Sequence, residues 1–256
     1  SLIIQNTSGG SVYFSGNHAY EGGAINASDI SLIDASIIFS NNIAGISGGG
    51  AIYSDSLTIS GPATNLKFYD NSALGKGGAI TSNSLTIQNT SSGSLDFCGN
   101  RCGAAGGSIY AISDISLIDT SITFKNNYSA IGSAIHSDSN LTISGPATNL
   151  KFYDNSASGN GGAIYATNIS IVYSSNIIFN NNNAHSGGAI YATYISIVDS
   201  SNIIFNSNKS SSHGGALYIQ DISLLNSTII CYSNKTTHGL GHVINSKRNL
   251  YIHKCT

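Results

Sequence analysis

Acid–base, metal and thiol chemistry need side chains that converge, and in this chain of 256 residues the capable ones are thinly spread. Asp34, Asp119 and Asp199 hold similar places in a repeating pattern but lie about three repeats apart, and Asp70 and Asp154 are copies within a duplicated block. Polysaccharide-cleaving sites bring several carboxylates, often with Lys or Arg, to one point. Carboxylates at these intervals stay apart, so no catalytic residue is assigned and the chain is not expected to be an enzyme. His185, His213, His238 and His242 fall just before or within one motif of three consecutive repeats. On a shared edge they would suit a small metal site or an acid-sensitive patch. The plainer reading, loop histidines with no metal and no cofactor, is the one we take.

Cys98 and Cys102 share one turn, FCGNRC, and spacing alone leaves open whether they form a disulfide. Cys231 replaces a recurring Phe and reads as a small buried apolar residue, while Cys255 lies about one repeat further on. Tyr recurs after one motif at Tyr53, Tyr110, Tyr165, Tyr191 and Tyr218, with His136 in the same slot. Strand alternation sends that slot outward, so Tyr165, Tyr191 and Tyr218 are expected to form a continuous exposed stripe suited to a sugar or a protein partner. Stacking that only stiffens the sheet is the plainer alternative.

The elements that hold these residues are set by two interleaved phrases. GGAI opens with Gly22 and Gly23, Gly49 and Gly50, Gly77 and Gly78, Gly161 and Gly162, and Gly187 and Gly188. GGAL follows at Gly214 and Gly215, weaker forms stand at Gly106, Gly132 and Gly241, and the intervals are 26 to 29 residues. Phe-x-x-Asn precedes each: Phe14 with Asn17, Phe39 with Asn42, Phe68 with Asn71, Phe97 with Asn100, Phe124 with Asn127, Phe152 with Asn155, Phe179 with Asn182 and Phe205 with Asn208. Cys231 with Asn234 is the ninth. Each unit carries three apolar patches: a pair such as Leu57 and Ile59, a pair ending in the Phe, such as Leu66 and Phe68, and the Ala-Ile of GGAI. The first two have the strand period of two. Only 9% of residues are charged and Met and Trp are absent, which disfavours long helices, while Asn, Ser, Thr, Ile and Tyr suit short strands and polar turns.

A unit of this size cannot bury its apolar side alone, so units must stack. The expected fold is all-β: a single-stranded right-handed parallel β-helix, three short strands per rung of about 27 residues, nine to ten rungs, in one domain over residues 1–256. A leucine-rich repeat fits less well, because it needs one strand plus a Leu-bearing helix or tight turn per unit. Within the coil the Phe rings should stack inward and the Asn amides form a ladder at a turn. LTISGPATNLKFYDNSA at residues 57–73 returns unchanged at 141–157, as recent duplication of whole rungs would leave it. The opening SLII and the closing LYIHKCT fall in mid-unit, which reads as an excised segment silent about export. A net charge of -2 without a basic stripe excludes a nucleic-acid partner, and no apolar run approaches about 18 residues.

Tandem GGAI and FxxN over the whole chain resemble the polymorphic outer-membrane proteins of chlamydiae. That resemblance implies an autotransporter: a signal peptide, a surface-exposed β-helical passenger and a C-terminal outer-membrane barrel, of which only passenger is present here. It implies an adhesin at the cell surface, outer-membrane or extracellular, whose FxxN and GGAI motifs are both needed for attachment to a host cell-surface protein or glycan. Membrane attachment would come only through regions absent from this segment, and homo-oligomers are possible. A carbohydrate-binding or carbohydrate-active β-helix, or a structural stalk, is the alternative.

Overall fold

The computed structural model describes residues 1–5, 10–174, 176–200, 202–241 and 243–253, the last seven as backbone only. It is a right-handed parallel β-solenoid of about nine turns with three sheets and no helix among the described residues. One rung shows the plan. Ile52–Ser60 lies in the first sheet, Asn65–Tyr69 in the second and Ser72–Ala73 in the third, and the chain then turns at Gly77 and Gly78 into Ile80–Gln88 of the next rung. Among the described residues the first sheet contains twelve strands and the other two nine each, every pairing parallel, and the register holds from rung to rung apart from local shifts near Asn140, Asp221 and Glu21.

Register places like on like. Leu85 pairs Leu57, Ile87 pairs Ile59, Phe97 pairs Phe68 and Ala73 pairs Ala44. Because each strand alternates, these residues face inward, and those of the first two sheets merge into one core running through every rung. No rung can close its own core, so each stabilises the next.

The third strand differs from the expectation. The Ala-Ile of GGAI does not start a third sheet: Ile80 opens the long first-sheet strand that also carries Leu85 and Ile87, and the short strands Ile25–Asn26 and Ile109–Ala111 lie in that same sheet. The third sheet consists mostly of two-residue strands just after the ladder Asn, such as Ser72–Ala73 and Ser156–Ala157. Small residues suit it, since Ala44, Ala73 and Cys102 close a narrow second core there.

FxxN is a corner written in four residues. The residue two beyond Phe is left-handed, as at Asn41 (φ 55°), Asp70 (φ 52°) and Asn126 (φ 56°), where Asn and Asp tolerate that conformation best. One such residue swings the chain from the second sheet into the third without a loop. It leaves both Phe and Asn pointing inward.

Candidate functional site

The residues of both motifs lie inside the coil. Phe39, Phe68, Phe97, Phe124, Phe152, Phe179 and Phe205 are fully buried, and Phe14 at the first rung is half-buried. Successive rings stack at 4.6 to 5.1 Å between centroids. Asn42, Asn71, Asn100, Asn127, Asn155, Asn182 and Asn208 are buried as well, and so is Asn234. Asn17 alone of the ladder is exposed.

The cause is that each amide is consumed by its neighbours. From Asn17 to Asn208, every one donates an Nδ2 hydrogen to Oδ1 of the next Asn at 2.8 to 3.2 Å. From Asn42 onward the second hydrogen goes to the Phe carbonyl of the preceding rung. Asn71, for example, gives one to Asn100 and one to the Phe39 carbonyl, Asn155 gives one to Asn182 and one to the Phe124 carbonyl, and Asn182 gives one to Asn208 and one to the Phe152 carbonyl. A buried amide so fully partnered is a structural part and has nothing left for a receptor.

The motif glycines are enclosed as well. Gly22 and Gly23, Gly49 and Gly50, Gly77 and Gly78, Gly161 and Gly162, Gly187 and Gly188, and Gly214 and Gly215 are all buried at one corner of the coil. Gly77 is left-handed (φ 59°), and a Cβ on Gly78 would stand 2.1 Å from the Gly107 carbonyl oxygen of the next rung. The first glycine turns the chain and the second lets two backbones touch. Gly23, Gly50, Gly162 and Gly188 repeat that close approach, each against the backbone oxygen of the equivalent glycine one rung on. Packed against backbone, these positions are out of reach of a partner.

The tyrosine stripe is continuous, but it is not the exposed surface expected. Tyr165 and Tyr191 are half-buried, and Tyr218, Tyr110 and His136 are buried. Tyr110, His136, Tyr165, Tyr191 and Tyr218 stack face to face at 4.7 to 5.4 Å. The slot lies beside the glycine corner, where the missing side chain makes a shelf: a Cβ on Gly132 would reach 3.0 Å from the Tyr165 Cβ. Rings therefore cover one another and rest on the turn. The stiffening alternative describes most of this column.

At its N-terminal end the column carries a polar cluster that the sequence did not reveal. Lys76 Nζ lies 2.5 Å from the Tyr110 hydroxyl and 4.1 Å from the ring centroid, and that hydroxyl donates to Asp138 Oδ2. His136 Nε2 lies 2.8 Å from Asp138 Oδ1, and His136 Nδ1 is buried without a hydrogen-bond partner. Burial, then the Asp138 hydrogen bond and charge, push the Tyr110 hydroxyl up. Burial pushes the His136 imidazole down, against the pull of Asp138. Burial works to raise Asp138, but hydrogen bonds from Tyr110 and His136 and the nearby positive charge hold it below the usual carboxylate range. The phenol thus keeps its proton, the imidazole is neutral and the carboxylate is charged. That set braces three rungs. Its members lie up to 34 residues apart within a single hydrogen bond, and only rung-to-rung register brings them together.

The other candidates do not assemble. Asp34 and Asp119 accept the Ala63 and Ala147 backbone N–H groups, and Asp199 and Asp154 accept from Asn226 and Asn181, each at a left-handed turn. His185 and His213 each hydrogen-bond a serine hydroxyl, His238 is exposed and His242 lies outside the described residues. No three metal-ligating side chains meet among the described residues. Cys98 and Cys102 are both free thiols: Cys98 lies on the outer face, and Cys102 sits in the small core, where burial pushes its thiol up to about 12. Cys231 is half-buried, less enclosed than the Phe position it fills, and Cys255 lies outside the described residues.

Comparison with known proteins adds one match. The Chlamydia polymorphic membrane protein (Chlamydia_PMP) repeat matches at residues 11–28, 36–55, 65–83, 149–167, 176–193 and 202–220. Each match spans one Phe-x-x-Asn and the GGAI-type phrase that follows it. The unmatched rungs include those with GGSI, GSAI and Cys231. No curated protein and no solved structure matches the chain.

Proposed function

Because this chain is a repeat protein of the Chlamydia polymorphic membrane protein type, we propose that it is the surface-exposed passenger of an autotransporter and acts as an adhesin. It is a rod carried at the outer membrane by regions outside this segment, and it touches a host cell-surface protein or glycan without turning anything over. One observation supports this most: the interior is the same from rung to rung and the exterior is not. Phe, Asn and Gly recur inside, whereas one outward column of the second sheet runs Ile38, Lys67, Asp96, Thr123, Lys151, Ile178 and Ile204. Specificity then belongs to the outer faces, and the two tetrapeptides serve attachment by holding the coil together.

Beads coated with the folded chain should bind cultured host cells, and soluble chain should compete. Substituting an internal ladder Asn should reduce attachment only in proportion to the fraction unfolded, followed by circular dichroism. Folded chain that fails to bind, or binding retained after complete thermal denaturation, would defeat the reading.

A further inference from the structure

We propose that the outer face of the second sheet, across the rungs of Phe68, Phe97, Phe124 and Phe152, binds a neutral linear oligosaccharide. The residues flanking each Phe point outward there and pair in register: Lys67 and Tyr69 beside Asp96 and Cys98, then Thr123 and Lys125, then Lys151 and Tyr153. Across these four rungs Cys98 is the smallest residue of its column, and it stands between Tyr69 and Lys125. It floors a depression of about 190 Å³ lined by Tyr69, Asp96, Phe97, Cys98, Thr123 and Lys125.

Three features identify the occupant. The duplicated block sets Lys67 and Tyr69 at one end and an identical Lys151 and Tyr153 three rungs later, about 14 Å away at the sheet spacing. Two equal platforms in line with the rod axis, with a depression between them, match a ligand that repeats by translation. The charges balance: Lys67, Lys125 and Lys151 stand against Asp70, Asp96 and Asp154, so the face has no net field to hold a polyanion. Both donors and acceptors lie beside half-buried tyrosine rings, the combination that suits hydroxyl groups on an apolar ring face. None of the three lysines is held in an ion pair with the described residues. The inference rests on the contact role proposed for the exterior, and it names the chemistry of one contact.

The test uses the purified chain and a panel of neutral linear oligosaccharides, with heparin as the polyanionic control. Oligosaccharide should slow iodoacetamide alkylation of Cys98, read by peptide mass, in proportion to occupancy, while Cys231 alkylates at its unliganded rate. Tyr69→Ala should weaken binding about tenfold at unchanged melting temperature. Tyr153→Ala should do the same only for oligosaccharides long enough to reach both platforms. Cys98 labelling unmoved by every neutral saccharide, equal protection in the double variant that carries both Tyr69→Ala and Tyr153→Ala, or a preference for heparin would overturn the proposal. Cell attachment that persists in the double variant alongside lost saccharide binding would leave this site intact and place adhesion on another face. Attachment with no saccharide binding by the unsubstituted chain would sink this inference alone.

Discussion

At the scale of single residues, the ladder and the polar cluster make opposite demands on water. Removing Asn127 leaves the Asn100 amide and backbone N–H without their acceptor, all in a buried corner. Asn127→Ala should therefore cost about 1 to 3 kcal/mol in denaturant titration. Asn17→Ala, at an exposed position, should cost less than half of that. His136 is buried and its pKa is depressed, so the unfolded chain takes up its proton at a higher pH than the folded chain does. Stability from this group is complete above the ordinary 6.5 and is lost as pH falls below it. Asp138, also depressed, adds a loss in the same direction only below 3.8. His136→Tyr supplies the ring that Tyr165 and Tyr191 hold in the same column. The melting temperature of that variant should change less between pH 7.5 and 5.5 than that of the unsubstituted chain, and equal slopes would refute the assignment. Phe and Asn announced their places by spacing. Lys76, Tyr110 and Asp138 did not, because each belongs to a different rung and only the register makes them neighbours.

At the scale of elements, two corners and one long strand define the rung. The glycine corner is the less tolerant. A methyl group on Gly78 meets the Gly107 oxygen at 2.1 Å and the Arg101 oxygen at 2.5 Å, both backbone atoms that cannot swing aside. Gly78→Ala should lower stability by about 3 kcal/mol, measured by thermal or chemical unfolding. The first two sheets were legible in the sequence because their inward residues alternate over strands of about five to nine residues. The third was not, since a two-residue strand such as Ser72–Ala73 is too short to display a period. The same limit explains the tyrosine column. Alternation sends its side chains outward correctly, but the corner that covers them depends on how one rung's turn overlies the next, which strand pattern does not contain.

At the scale of the whole molecule, stability is a sum over neighbours, so complete rungs can be removed. The identical blocks at residues 57–73 and 141–157 offer a seamless junction: deleting residues 58–141 joins Leu57 to Thr142 within the same strand sequence. The shortened chain should fold with three fewer rungs of about nine, and its dependence on denaturant should fall by about a third. A product that fails to fold would show that the rungs are not interchangeable. The ladder has one more consequence. Every amide passes its hydrogen in the same sense, from Asn17 toward Asn234, so the small dipoles add instead of cancelling. The rod is a vector with a head and a tail. Two copies meeting end to end could continue the relay only when both point the same way, and opposed ends would present donor to donor or acceptor to acceptor.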